Sequence, residues 1–355
     1  MLKGAVAETL RPFLRFGLGQ ATGFLATLGK TGGNAMLVKR RALLLAPLAG
    51  PALAQPQRAM VKVLVGFPAG GSADIVARLV AERLRGSYAA NVIVENRPGA
   101  SGRLAVEALK AAEPDGTTLL LSASSMLSLL PHIYPGSTRY DPFTDFVAVC
   151  SAGGFPLGIA AGPRAGMPKT LRGFIDWAKT QPEVGYSSPS AGTTPHFLGI
   201  QFAKAAGLNM AHVSYRGSGP AIQDLMGGTL GASFHPMVDL VGAADAGRIT
   251  VLAVTAPERM ARYPEVGTFA EQGFPQFAAR EWFGVFLPAR TPAGVVAELN
   301  QAMQAMSATA DYRAALDRLV MTPLPTGPTE FAGMLRADWE RWARVVRESG
   351  FRPED

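Results

Sequence analysis

The chain of 355 residues reads as an α/β protein, mostly parallel sheets flanked by helices, with enough length for two domains. Three observations predict this. The segment Val61-Lys-Val-Leu-Val-Gly-Phe-Pro-Ala-Gly-Gly-Ser-Ala-Asp74 passes from a short apolar strand through a glycine turn into a helix. Strand, helix and strand then alternate at even pitch as far as residue 121, the pattern of right-handed parallel crossovers. A similar alternation recurs between residues 170 and 255.

Val61, Val63, Leu64 and Val65 form the first strand, and Pro68 stops it. Gly70 and Gly71 permit a backbone path that side chains would obstruct. Ser72 and Asp74 open a helix with Ile75, Val76, Leu79, Val80 and Leu84 on one face. Such a turn aims unpaired N–H groups above the sheet, where they and the helix dipole favour a small anion. That anion could be a carboxylate, a phosphate or the chain's own Asp74.

Asn91–Glu95 reads as a second strand and Ser101–Ala112 as an alanine-rich helix broken by Pro114-Asp-Gly116. A third strand, Thr117–Leu121, ends in Ser122-Ala-Ser-Ser125. Ligands of parallel sheets bind beyond the carboxyl ends of the strands, so the Phe67–Ser72 and Ser122–Ser125 loops should face one crevice. Further on come a helix over Thr170–Thr180, a strand over Val184–Ser188 and a helix over Pro195–Ala206. The loop Pro189-Ser-Ala-Gly-Thr-Thr-Pro-His196 gives a second anion-friendly helix start. The strand Met210–Tyr215 leads through Arg216-Gly-Ser-Gly-Pro220 into a helix ending near Met226. Thr229–Phe234 and Thr250–Thr255 read as strands, and Pro292–Met306 and Thr329–Glu348 as helices. Trp339 and Trp342 fall on the core face of the last helix.

Residues 36–54 have the three-part plan of a secretory signal: basic Lys39-Arg-Arg41, an interrupted apolar run, and the small-residue site Ala52-Leu-Ala54. Cleavage after Ala54 is expected, by general secretion rather than the twin-arginine route. Residues 1–35 then read as an upstream start outside the natural product. The leader also explains the charge. Of 34 Lys and Arg, seven lie in residues 1–54 with one of the 27 acids, leaving 27 bases against 26 acids, a net charge of +1. The basic balance therefore carries no nucleic-acid signal. With Cys150 the only cysteine and four scattered histidines, neither an internal disulfide nor a metal-ligand spacing is present, and no cofactor is expected.

Nucleophile elbows, lysine-bearing phosphate loops and dinucleotide fingerprints are all missing from the sequence. His196, at a helix start, could reach a ligand or be a partly buried histidine bonded to backbone. His235, placed where a strand meets the crevice, is expected to face the ligand. Arg216 is either a carboxylate clamp or a surface charge. Tyr215 and Phe67 read more as packing residues than as ligand walls, and Asp74 as a cap on its own helix.

The stretches Phe67-Pro-Ala-Gly-Gly-Ser-Ala-Asp74, Val94-Glu-Asn-Arg-Pro-Gly-Ala-Ser-Gly102 and Pro114-Asp-Gly-Thr-Thr-Leu-Leu120 form an ordered series. Tyr140–Phe146, Ser190-Ala-Gly192, Val213-Ser-Tyr-Arg-Gly217, Leu252–Thr255, Tyr263–Val266, Glu271–Pro275 and Trp282-Phe-Gly284 continue it. The series resembles the substrate-binding receptors of tripartite tricarboxylate transporters, the Bug-type receptors, over about residues 58–352. The resemblance implies a two-domain periplasmic binding protein that closes like a flytrap, with two crossover strands. Residues 55–153 plus 281–355 would form one domain and residues 154–280 the other. A small organic acid would be held between the Phe67–Asp74 and Ser190–His196 loops through backbone N–H groups and ordered water. The expected ligand-binding residues are Phe67, Pro68, Ala69, Gly70, Gly71, Ser72, Asp74, Ser122, Ser124, Ser125, Ser190, Ala191, Gly192, Thr193, His196, Tyr215, Arg216, Gly217 and His235.

The chain departs from the family pattern at His235-Pro236, where an aspartate is usual, at Arg216 for lysine and at Ser214 for proline. Imidazole in place of carboxylate is expected to favour a dicarboxylate, hydroxy acid or aromatic acid over an amino acid. The resemblance further implies a non-catalytic monomer that serves the membrane permease subunits of such a transporter, or in orphan cases a sensor protein. The competing expectation is a secreted α/β enzyme acting on carboxylates, with His196 or His235 as base.

Overall fold

The computed structural model describes residues 58–163, 166, 168–349 and 351, so the proposed upstream extension and signal peptide lie outside it. The first half runs β1 (Arg58–Val65), α1 (Ser72–Leu84), β2 (Ala89–Asn96), α2 (Arg103–Lys110), β3 (Thr118–Ala123), α3 (Ser124–Ser128), α4 (Leu130–Ile133) and β4 (Phe146–Phe155). Next come β5 (Leu157–Ala161), α5 (Leu171–Ala178), β6 (Val184–Ser187), α6 (Thr194–Ala206), β7 (Met210–Val213), α7 (Ser218–Met226), β8 (Ala232–Pro236), α8 (Met237–Asp245) and β9 (Thr250–Val254). The chain finishes with β10 (Glu281–Pro288), α9 (Ala293–Ala308), α10 (Ala310–Arg318) and α11 (Pro328–Ser349).

These strands form two five-stranded mixed sheets, ordered β2-β1-β3-β10-β4 and β7-β6-β8-β5-β9. In each, the strands that alternate with helices pair in parallel: β1 with β2 and β3, β6 with β7 and β8. β10 runs antiparallel to its neighbours β3 and β4, and β5 antiparallel to its neighbours β8 and β9. They are the segments that pass between the sheets. β4 flows through Pro156 straight into β5, and β10 re-enters the first sheet after β9 and a long loop. The two passages touch, since the Leu157 amide donates to Thr255 Oγ1 at 3.0 Å and the Ala279 amide to the Thr255 carbonyl at 2.8 Å.

The helices cover the sheets with their apolar faces. Val76, Val80 and Leu84 of α1 are all but fully buried, each such side chain contributing about 1.5–3 kcal/mol relative to exposure. On α11, Phe331, Leu335 and Trp342 are buried as the sequence pattern requires, while Trp339 is half-buried against His132 and Phe143. Thr170 caps α5 by accepting the Gly173 amide, and Gly207 closes α6 at φ +65°.

Two sequence expectations shift. The second helix starts later than Ser101, because Ala100, Ser101 and Gly102 all take positive φ in a 3₁₀ turn. The strand expected to end at Phe234 continues through His235 and Pro236. Its alternating pairing with β5 carries His235 into the interior.

Close packing around β10 gives a direct test. A Cβ on Gly284 would lie 2.2 Å from Phe331 Cζ and 2.8 Å from Phe286 Cε2. Gly284→Ala should lower stability by about 1–3 kcal/mol, read as a lower urea midpoint at unchanged slope. A wild-type midpoint would show that the aromatic cluster is looser than described.

Candidate functional site

A cavity of about 220 Å³ lies where the loops of the two sheets meet. From the first sheet come the β1–α1 turn (Phe67–Ala73) and the end of β3 with Ser125. The second sheet supplies Pro189 and Thr193–Pro195 before and within α6, Arg216–Pro220 at the start of α7, and Pro236 before α8. The passing strands give the remaining wall: Phe155, Leu157, Glu281 and Phe283. Three helices of nine or more residues, α1, α6 and α7, thus present their N-termini to one space. Their dipoles and unpaired amides favour negative charge there.

The β1–α1 turn already holds carboxylates of the chain itself. The Gly70 amide donates to Asp74 Oδ2 at 2.9 Å, and the Ser72 amide donates to Asp239 Oδ1 at 2.6 Å. Asp239 stands in the first turn of α8 and reaches across from the second sheet. Its Oδ2 also accepts the hydroxyls of Ser72 at 3.2 Å and Ser218 at 2.6 Å. The amides of Gly71, Thr194 and Gly219 have no protein partner among the described residues, nor has the exposed Arg216 guanidinium or the Ser125 hydroxyl. These are the donors a ligand would meet. Gly70 needs its glycine at φ +86°, whereas a Cβ on Gly71 would meet only the Pro68 carbonyl at 3.8 Å.

Ten of the expected residues line the cavity: Phe67, Pro68, Ala69, Gly70, Gly71, Ser72, Ser125, Thr193, Arg216 and Gly217. The others do not. Asp74 is buried behind the turn, bonded to Gly70, Arg78 and Asn96. Burial opposes its ionisation, but those hydrogen bonds prevail and hold it below the usual carboxylate range. The Ser122 hydroxyl donates to the Ala123 carbonyl, and Ser124 donates to Glu281. Ser190 and Ala191 meet Ser101 across the seam: Ser190 Oγ donates to Ser101 Oγ at 3.0 Å, and Ser101 Oγ to the Ala191 carbonyl at 2.8 Å. Gly192, at φ +76°, donates its amide to His196 Nδ1 at 3.0 Å. Tyr215 donates to Asp224 at 2.6 Å; burial and that carboxylate push its phenol up to about 12.

Both histidines expected as ligand contacts or bases sit behind the cavity wall. His196 is 4% exposed, its ring 3.9 Å from that of His212. Burial, and then the neighbouring His212, lower it to about 3. His235 is fully buried with neither ring nitrogen hydrogen-bonded, Nδ1 lying 3.9 Å from Asp239 Oδ2. The expectation that imidazole replaces a carboxylate at the ligand is therefore corrected, because Asp239, one helical turn further on, keeps an acid beside the site. The hydroxyl–imidazole pair of Ser188 and His212, at 2.8 Å, is also absent from the cavity lining.

Sequence reasoning missed Asp239 and Glu281. Asp239 had a signal, an acid three residues after a proline-led helix start. Glu281 had little, lying between Arg280 and Trp282 like a strand-edge charge. It is fully buried, accepts the hydroxyls of Ser124 and Thr194, and lies 3.7 Å from Arg341. Burial pushes its carboxyl up, only partly opposed by Arg341. Among the described residues no group of three His, Cys, Asp or Glu could hold a metal.

Two mixed α/β sheets joined by passing strands, with helix N-termini of both turned to one cavity, define a solute-binding receptor. The chain belongs to the tripartite tricarboxylate transporter family receptors, whose profile matches residues 76–351. It is 33% identical over 300 residues to Protein BugT of Bordetella pertussis, covering 82% of this chain and 89% of that one. Among solved structures, "R. palustris Rpa4515 with adipate" superposes with a TM-score of 0.80 at 27% identity, covering 84% of this chain and 100% of that one. MatC from Rhodopseudomonas palustris with bound malate gives 0.75 at 27% identity, covering 81% and 99%. No helix among the described residues is long and apolar enough to cross a membrane.

The buried histidines give the fold an acid sensitivity. His196 and His212 fall from an ordinary 6.5 to about 3 and about 4, each chiefly through burial. The unfolded chain therefore binds more protons, and stability is lost as pH drops from 6.5 toward those values. Melting temperatures should fall over that window, and His196→Gln should flatten the slope. An identical slope in the variant would contradict the assignment.

Proposed function

We propose that the protein is a periplasmic receptor that captures a small organic acid and hands it, unaltered, to the permease of a tripartite tricarboxylate-type transporter. One observation carries the reading: unpaired amides at three helix N-termini, from both sheets, converge on one cavity with the free Arg216 guanidinium beside them. Preorganised N–H donors in a shielded site suit a carboxylate. The adipate and malate bound by the two Rhodopseudomonas relatives support the same class of ligand. We place one lobe at residues 55–153 with 281–355 and the other at 154–280, hinged where β4 meets β5 and where the chain enters β10. The receptor acts as a monomer. The burial of His196 and His235 weighs against the enzymatic alternative, since neither ring is offered to a substrate.

Thermal melts of the exported protein against a panel of carboxylic acids and their amides test this. At least one acid should raise the melting temperature by several degrees at saturation and be recovered unchanged by mass spectrometry, while its amide has little effect. Turnover of the acid, or equal stabilisation by the amide, would reject the receptor reading.

Gly71→Asp sets a charge in the cradle at a position whose backbone tolerates a side chain. Affinity for the stabilising acid should drop more than tenfold while circular dichroism stays unchanged. Wild-type affinity would place the carboxylate elsewhere.

A further inference from the structure

Resting on that reading, we propose that the preferred ligand is a monocarboxylic acid with a single-ring, benzoate-sized body rather than a dicarboxylate or a hydroxy acid. The first reason is the wall. Between the donor groups the cavity is lined by Phe67, Phe155, Leu157 and Phe283 with Pro189 and Pro195. Phe155 and Phe283, on the two passing strands, stack on one another at 4.5 Å between centroids and make this side of the wall aromatic. Flat apolar bodies gain most from such a surface.

Size agrees. A dry apolar cavity of about 150 Å³ holds one benzene molecule. About 220 Å³ leaves room for a ring, a carboxylate and one small substituent.

The second reason is the polar inventory. The hydroxyls of Ser72 and Ser218 are committed to Asp239, and that of Thr194 to Glu281. These hydroxyls are spent as donors and could only accept from a hydroxyl-rich ligand. What stays open is one cluster of amides with Arg216, sufficient for a single carboxylate, and the Ser125 hydroxyl. A second carboxylate would be desolvated near Asp239, an acid whose side chain is already buried beside the site. Like charges in low dielectric repel strongly, and no spare cation among the described lining residues offsets this.

Isothermal titration of the wild-type protein with benzoate, phenylacetate, adipate, malate and benzamide tests the proposal. Benzoate or phenylacetate should bind at least tenfold tighter than adipate or malate, with benzamide weak. Tighter binding of adipate or malate overturns the monocarboxylate inference and leaves the receptor reading standing. Benzamide binding as well as benzoate overturns the carboxylate reading itself. Ala123→Leu, which fills the cavity from the end of β3, should abolish benzoate binding with circular dichroism unchanged. Undiminished affinity in a folded Ala123→Leu protein would also overturn the inference.

Discussion

The hydrogen bond from the Ser72 amide to the Asp239 carboxylate concentrates the logic of the molecule in one contact. The amide belongs to the first turn of α1 above the first sheet, and the acid to the first turn of α8 above the second. Both lie at helix N-termini, so one carboxylate satisfies orphan donors and sits in two favourable dipole fields. The β1–α1 turn thus behaves as an acid-binding element even toward its own chain. Its neighbour, the Gly71 amide, is left for something from outside.

That arrangement depends on the seam. β4 and β5 form almost one strand through Pro156, and β10 returns beside it, so the loops of both sheets are held at one level. Glu281 at the start of β10 fixes the floor: Ser124 binds it from the first sheet, Thr194 from α6, and Arg341 of α11 approaches from behind. Arg341 is in turn anchored by Asp338, which also accepts the Trp282 indole at 2.7 Å. Burial of such an acid is tolerated because its oxygens are satisfied from several sides.

The sequence made the two acid-binding loops legible and left the acids that share their space hidden. Gly70, Gly71 and Ser72 stand out because a strand, a glycine turn and a helix start have strong local signatures, and the same holds for Thr193–His196. β4 and β5 escaped notice because Ser151-Ala-Gly-Gly-Phe-Pro-Leu-Gly158 looks like a turn. Only burial on both faces makes those small residues into strands. His235 was misplaced by a strand end two residues too early, and a shift of that kind decides whether a side chain meets solvent or core. Asp239 and Glu281 act through partners more than 80 residues away in sequence, Ser72 for one and Thr194 for the other, and no local pattern encodes such pairings.

Amide-resolved NMR titration with the acid that stabilises the protein most is the most direct measurement. The account predicts large downfield shifts for the Gly71, Thr194 and Gly219 amides, saturating together at one equivalent, with little change at distant loops. Shifts clustered elsewhere, with those three amides unmoved, would contradict it.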